Sequence, residues 1–207
     1  MLVSVVNLKC SNCGERLSES MSRCPSCDQP VVIKKVSSLF GLSSLELQTR
    51  SRLMDREVMS GQSGDLASDA DFTAGCCFLR LKLFDQAIER LGKAVDSNPC
   101  NVDALFCMAV AALRGKKAFV VPLADIREAQ GYLDAAIMID DRGIFRYFLA
   151  YIKQDFYARR YLKVEPNWLD ELQSALAFGI DNAERDELFN LLGVVCPDEL
   201  NVDCHGE

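Results

Sequence analysis

Four cysteines near the N-terminus constrain the fold of this chain more than any other feature. They form two Cys-x-x-Cys pairs, Cys10 with Cys13 and Cys24 with Cys27. Within each pair a short turn brings both sulfurs to one side of the backbone, and two such pairs supply the four thiolates of a tetrahedral zinc site. Because four cysteine ligands leave no coordination position for water or substrate, the spacing predicts one structural Zn²⁺.

Two disulfides are the alternative use of the same four cysteines. Residues 1–8 are apolar but lack the basic lead-in and the small-residue cleavage site of a secretory signal, so we expect a reducing, cytoplasmic compartment. The other cysteines show no pairing pattern, and several lie in apolar helical stretches, where a free thiol acts as a small hydrophobic group. They are Cys76, Cys77, Cys100, Cys107, Cys196 and Cys204. Zinc is therefore favoured over disulfides.

The cysteine segment resembles the short zinc ribbons found at the N-termini of many prokaryotic proteins. The residues that match are Cys10-x-x-Cys13-Gly14 and Arg23-Cys24-Pro25-x-Cys27, and the resemblance covers about residues 8–30. It implies a small β-hairpin module that contacts protein or nucleic acid, without choosing between them. The usual glycine after the second pair is Asp28 here, and aspartate also tolerates turn conformations.

A helical-hairpin pattern recurs in the rest of the chain with a period of thirty-four residues. Each copy places small residues where two helices would approach and large residues between them. The positions in the first copy are Gly75, Phe78, Ala87, Leu91, Ala94 and Pro99, and those in the second are Ala109, Leu113, Ala129, Leu133 and Ala136. Asp85 is expected to cap the second helix of the first copy. A weaker third copy has helices at 144–154 and 169–178, and a capping helix is expected at 186–195.

This pattern resembles the tetratricopeptide repeat (TPR) family over about residues 68–195. The resemblance implies a mainly α fold of about three TPR-like hairpins plus a capping helix, behind the small β ribbon. TPR arrays present a concave surface that binds an extended or helical peptide. The family's early tryptophan and leucine are Asp71 and Ala74 in the first copy. The alternative interpretation is an irregular helical bundle.

The predicted domain organisation has four parts. They are a zinc ribbon (1–36), a linker with a helix (37–67), a TPR-like repeat domain (68–200) and a flexible tail (201–207). The linker helix is expected at Ser43–Met59, which contains good helix formers and no glycine or proline. Residues 61–64, Gly-Gln-Ser-Gly, form the expected flexible joint. The linker helix either packs on the body or bridges the two modules.

Charge and composition argue against several classes of function for this chain. The net charge is −7, and residues 68–207 carry fifteen basic and twenty-three acidic side chains, so the body repels a phosphate backbone. Only the ribbon offers a weak nucleic-acid contact, through Lys9, Arg16, Arg23, Lys34 and Lys35.

The longest apolar run has ten residues, too few for a membrane span, so no membrane association is expected. The single histidine, His205, lies near the chain end, and no catalytic motif is present, so no enzyme activity is expected.

The predicted function is a protein–protein interaction adaptor that binds a partner peptide or protein in the repeat groove. The candidate partner-binding residues are Phe72, Cys76, Leu79, Arg80, Phe106, Val110, Leu113, Arg114, Tyr147 and Tyr151. Alternatively, the two phenylalanines in this set pack between neighbouring hairpins. The second functional hypothesis is a nucleic-acid-associated factor whose ribbon contacts DNA or RNA while the repeats recruit protein. The partner and the oligomeric state are not predicted.

One further segment, residues 142–168, mixes eight aromatic with six basic side chains. Three interpretations are open. The aromatic residues fill the core of the third repeat while the charges face water, the segment stacks on nucleic-acid bases, or Arg159, Arg160 and Lys163 receive an acidic peptide. The first is favoured.

Overall fold

Helices make up most of the computed structural model, which describes residues 8–10, 12–18, 21–59 and 65–201. Two short strands, β1 (Leu8–Lys9) and β2 (Arg16–Leu17), precede eight α-helices within those residues. The helices are α1 Ser44–Met59, α2 Asp65–Arg80, α3 Phe84–Ser97, α4 Val102–Ala112, α5 Leu123–Ile139, α6 Gly143–Ile152, α7 Trp168–Ala177 and α8 Asn182–Leu192. The predicted mainly α fold is confirmed. None of the helices in the described ranges has both the length and the apolar composition needed to cross a membrane.

The chain divides into two compact units, Met1–Ser97 and Asn98–Glu207. The first contains the ribbon and α1–α3, and the second contains α4–α8. The predicted boundaries of the ribbon, the linker, the repeat domain and the tail stay predictions. They concern which segments fold independently, and this division into units does not test that. The expected joint at 61–64 and residues 1–7, in which no secretory signal is expected, lie outside the described residues. So do residues 202–207 of the expected tail, with Cys204 and His205.

Helix α1 confirms the helix predicted at Ser43–Met59, and it packs along α2. Its first turn is a capping box: Ser43 Oγ accepts from Glu46 N at 3.3 Å, and Glu46 Oε2 accepts from Ser43 N at 2.8 Å. The hydrogen bonds from Ser43 lower the pKa of Glu46. Met54 of α1 is buried against Ala70 and Ala74 of α2. This helix therefore packs on the first hairpin, which is one of the two arrangements left open by the sequence.

The hairpin of α2 and α3 has the close helix approach that the repeat spacing predicts. Ala87, Leu91 and Ala94 of α3 are fully buried. A Cβ placed on Gly75 would lie 2.6 Å from Leu91 Cγ and 2.8 Å from Leu91 Cδ2. No side chain larger than hydrogen fits there without displacing Leu91. The predicted N-cap role of Asp85 is wrong, because α3 begins at Phe84 and Asp85 lies inside its first turn.

Replacing Gly75 with alanine is expected to destabilise the protein by about 1–3 kcal/mol, the usual cost of overpacking a core. The loss should outweigh the gain of about 1 kcal/mol in helix propensity that this change brings at an exposed site. Chemical denaturation measures the free energy of unfolding. Gly92→Ala on α3 is the matched control, since a Cβ there would meet no atom within 4 Å. A Gly75→Ala protein as stable as Gly92→Ala would show that the two helices are not in close contact.

In the second unit, α4 pairs with α5 and α6 pairs with α7, while α8 packs on α6 and α4. The predicted small-and-large positions of α5, Ala129, Leu133 and Ala136, are fully buried. Helix α5 begins at Leu123, well before its first predicted repeat position at Ala129, and α8 begins at Asn182 instead of 186. Both early starts have local causes. Pro122 directly precedes α5, and Asp181 caps α8 in a capping box with Glu184.

The segment 142–168 fits the first of its three interpretations in part: most of its aromatic residues are buried, but Lys153 is buried too and does not face water. Its aromatic residues Tyr147, Phe148, Tyr151 and Phe156 are buried. Helix α6 continues into a π-helical turn at Lys153–Tyr157 and then a short 3₁₀ turn at Ala158–Arg160. The guanidinium groups of Arg159 and Arg160 lie 4.4 and 5.0 Å from the ring centroid of Phe119. These arginines therefore contact the protein's own aromatic residues.

Candidate metal centre

Two turns of the same construction hold the four cysteines. In the first, Cys10 N donates to Glu15 O at 2.8 Å and Gly14 N donates to Cys10 O at 3.0 Å. In the second, Cys24 N donates to Gln29 O at 2.8 Å and Asp28 N donates to Cys24 O at 2.9 Å. The same backbone pattern thus recurs fourteen residues later along the chain. It closes a tight turn around each cysteine pair.

The residue after each cysteine pair has a left-handed backbone. Gly14 has φ +75°, and Asp28 has φ +59°. Glycine adopts this region freely, whereas aspartate does so only at a modest cost. Arg23 offsets that cost, since its Nη1 donates to Asp28 O at 2.8 Å and to Asp28 Oδ2 at 2.9 Å. The sequence expectation that Asp28 takes the place of the usual glycine is confirmed.

The four sulfur atoms are arranged as one metal ion requires. All four lie within 4.8 Å of one another. Cys10 Sγ is 3.6 Å from Cys27 Sγ, and Cys13 Sγ is 3.5 Å from Cys24 Sγ. Four sulfurs at about 2.3 Å from a tetrahedral Zn²⁺ would be about 3.8 Å apart. These thiols are free and are not disulfides. The donor set and spacing therefore fit a single zinc ion.

The backbone also favours a thiolate at this centre. The N–H groups of Cys13 and Asn12 lower the pKa of Cys10 to about 6. For Cys13, the Glu15 N–H lowers the pKa, but burial and the neighbouring thiols Cys24, Cys27 and Cys10 together raise it to about 12. Ionisation is therefore favoured at Cys10 over Cys13. A divalent metal ion would allow all four to ionise, as zinc ligation requires.

Three contacts hold the ribbon to the helices of its own unit. The Arg50 side chain on α1 is 1% exposed, and its Nη2 donates to the Met21 carbonyl at 2.6 Å. Ile33 N donates to Thr73 Oγ1 on α2 at 3.0 Å, and Lys34 forms an ion pair with Asp69. Sequence reasoning did not identify Arg50, because an arginine on a moderately amphipathic helix is normally a solvent-facing residue.

Most of the predicted partner-binding residues are buried. Eight of the ten are less than 9% exposed: Phe72, Cys76, Leu79, Phe106, Val110, Leu113, Tyr147 and Tyr151. Arg80 is half-buried with its guanidinium 4.6 Å from the ring centroid of Phe40, and Arg114 is exposed. This burial fits the alternative in which the aromatic residues pack inside the protein. Partner binding through this set stays a prediction.

The basic residues of the ribbon are only partly available to a phosphate backbone. Arg23 pairs with Asp28, and Lys34 pairs with Asp69. Lys9 and Arg16 are exposed and face each other across the β1–β2 pair.

Comparison with known proteins adds no assignment: no family model, curated protein or solved structure matches the chain.

Proposed function

We propose that this protein is a non-enzymatic, cytoplasmic adaptor that binds a partner protein or peptide. One structural Zn²⁺ on Cys10, Cys13, Cys24 and Cys27 holds a zinc-ribbon module, and the helical body is built of TPR-like hairpins. The observation that carries this proposal is the closed four-thiol centre next to packed helical hairpins. A metal with four sulfur ligands organises a fold and offers no position for a reacting molecule.

The metal's contribution to the ribbon is folding energy. Among the described residues, the ribbon core consists of Cys10, Leu17, Cys24 and Val31, with Cys27 packed against it. Three of these five residues are metal ligands, so little apolar surface remains to stabilise the module alone. When bound, zinc cross-links the two turns and replaces the missing core. The chain's own residues then present the hairpin face with Lys9 and Arg16.

Packing details support the TPR-like assignment of the hairpins. Gly75 touches Leu91 where the repeat pattern places a small residue against a large one. The same positions in the second copy, Ala109 and Leu133, are also fully buried. Buried small residues at the corresponding positions of two helix pairs are the packing that defines such repeats.

The apolar surface best placed for a partner lies on α7. Leu169 and Leu176 are seven residues apart on one face of this helix and are 55% and 39% exposed. Phe178, just after the helix, is 53% exposed. Burying a leucine side chain contributes about 1.5–3 kcal/mol, so this stripe can anchor a partner helix. It is more accessible than the predicted groove residues.

Partner capture with matched variants tests the adaptor function. Partners captured by the full-length, zinc-loaded protein are identified and then purified for affinity measurement. The double change Leu169→Ser and Leu176→Ser should lower the affinity for a directly bound partner at least about tenfold. Leu45→Ser on α1, which removes another exposed leucine, is the control. Arg114→Glu tests the predicted groove, and Arg80 is left unchanged because its guanidinium packs on Phe40.

Three outcomes are informative for this proposal. If only the α7 double variant loses partner binding, the α7 surface is the binding site. If only Arg114→Glu loses partner binding, the predicted groove is the binding site. If no purified protein binds the full chain directly, the adaptor function is wrong. For the second hypothesis, the exposed Lys9–Arg16 pair is the supporting observation, and duplex binding that is insensitive to salt would exclude phosphate contacts by these residues.

A further inference from the structure

A cleft of about 440 Å³ opens in the second unit, outside the metal centre and the α7 stripe. It lies between the π-helical turn that follows α6 and the segment 195–199. Its polar lining includes Tyr151, Gln154, Asp155, Lys117, Asp198 and Glu199. The volume is within the range of sites that bind small ligands or short peptide segments.

Hydrogen bonds fix the walls of this cleft. Tyr151 Oη accepts from Ala118 N at 3.2 Å, and Asp155 Oδ2 accepts from Phe119 N at 2.8 Å. On the other side, Tyr147 Oη donates to Leu200 O at 2.8 Å, and Leu200 is fully buried. Because both walls are tied to the same stretch of α6 and its π turn, the cleft is already formed before any ligand arrives.

Gln154, in the π turn, has an unused hydrogen-bonding group at the cleft. Its side chain lines the cleft and is only 6% exposed, and its Oε1 accepts no hydrogen bond from any residue in the described ranges. A buried acceptor without a donor costs about 1–3 kcal/mol, so native structures rarely retain one without a reason. π turns inside helices occur frequently at functional sites. The last side-chain torsion of glutamine is soft, so rotation about it can present the amide to a ligand in the cleft.

The chemistry of the cleft indicates what it would bind. The Gln154 amide offers both a donor and an acceptor, which is the complement of another amide group. The Tyr151 hydroxyl proton has no acceptor among the described residues and adds a donor. At the rim, Lys117 supplies a positive charge and Asp198 and Glu199 supply negative charges, and none of the three forms an ion pair within the described part of the chain. The ligand should therefore carry an amide flanked by charges of both signs.

We propose that this cleft binds a peptide segment, with one amide group of the peptide at Gln154 and Tyr151 and charged side chains at the rim. This inference rests on the proposed function, since it names the chemistry of a partner for the helical body. Free glutamine has the same amide and charges, so it is the competing source of this ligand chemistry.

Titration of the full-length, zinc-loaded protein with three probes tests the ligand class. The probes are acetyl-Lys-Gln-Glu-amide, the same peptide with methionine in place of glutamine, and free L-glutamine. Backbone amide shifts report binding at the cleft. The glutamine peptide should shift the signals of 117–118, 151–155 and 195–199 and bind about tenfold more tightly than the methionine peptide. Tighter binding of free glutamine, or no shifts at millimolar peptide, would overturn the peptide site.

The variant Gln154→Met separates a binding role from a structural one. Because the change removes an unsatisfied buried acceptor, the ligand-free variant should melt no lower than wild type, yet it should lose about tenfold in peptide affinity. Gln173→Met, at an exposed position on α7, is the control and should keep wild-type affinity. Equal affinity of wild type and Gln154→Met would overturn the proposal, as would a lowered melting temperature with affinity retained.

If Gln154→Met does not fold, the exposed rim supplies a second test. Lys117→Gln combined with Glu199→Gln should weaken the peptide several-fold, and unchanged affinity would overturn the proposal. The adaptor function has its own readout. If a captured partner binds both Gln154→Met and the rim variant with wild-type affinity, the cleft is not its binding site. The adaptor function would still stand.

Discussion

Replacing Cys24 with serine is expected to unfold the ribbon and to lower the stability of the Met1–Ser97 unit by several kcal/mol. Structural zinc contributes about 10–16 kcal/mol to folding in isolated zinc modules, and the ribbon has little other core. The effect should extend to α1 and α2. Arg50 would lose its hydrogen bond to the Met21 carbonyl, and Ile33 N and Thr73 Oγ1 would separate. Two-dimensional NMR reports the ribbon signals, and thermal unfolding reports the helices.

The matched control is Cys100→Ser, since Cys100 is exposed and lies outside the metal centre. Its unfolding curve should match that of wild type. Chelation of zinc from the wild-type protein should reproduce the Cys24→Ser result, and added zinc should restore the ribbon signals. A Cys24→Ser protein with an intact ribbon spectrum would show that the four thiols do not hold the module. An unchanged transition for the helices would show that the Arg50 contact carries no energy.

The second large effect is expected at the buried ion pair of α6 and α7. Lys153 Nζ lies 2.6 Å from Glu171 Oε1, and the two side chains are 6% and 4% exposed. Lys153 also donates to Pro166 O at 2.9 Å. Lys153→Met should cost about 3–5 kcal/mol, because it leaves the Glu171 carboxylate buried with only the longer 3.5 Å contact to Arg146. Urea denaturation measures the loss.

A double variant separates the loss of the pair from the loss of packing. Lys153→Met combined with Glu171→Leu removes both charges and should recover most of the lost stability, because a well-packed apolar pair often replaces a buried ion pair at little cost. Lys93→Met, which breaks an exposed ion pair with Glu89, is the control and should change stability by less than about 1 kcal/mol. If the double variant instead loses as much stability as the two single changes added together, Lys153 and Glu171 are not a buried, coupled pair.

The features fixed by short-range rules were predictable from the sequence. The clustering of the four cysteines followed from their spacing, the turn at Asp28 from the tolerance of aspartate for left-handed backbone, and the burial of Leu91 and Leu133 from the repeat period. Asp85 was misplaced, because several positions near a helix start suit an aspartate and local sequence does not decide among them. Burial of Arg50 depends on a distant carbonyl and had no local signal.

The departures from the repeat pattern also have a structural explanation. Asp71, where the TPR family carries a tryptophan, is buried and pairs with Arg90 of α3 at 2.8 Å, and Arg90 pairs in turn with Asp55 of α1. Ala74, where the family carries a leucine, is small enough for Met54 of α1 to pack against it. Helix α1 thus occupies space that larger side chains would otherwise fill. The sequence alone did not show this, because the compensating residues lie outside the repeat.

The central claim is that Cys10, Cys13, Cys24 and Cys27 together hold one zinc ion. X-ray absorption at the zinc edge, on full-length protein purified without chelator, tests it most directly. We expect one zinc per chain, with four sulfur atoms at about 2.3 Å and no nitrogen or oxygen in the coordination shell. A protein without bound zinc, or a shell in which nitrogen or oxygen replaces any of the four sulfurs, would contradict the claim.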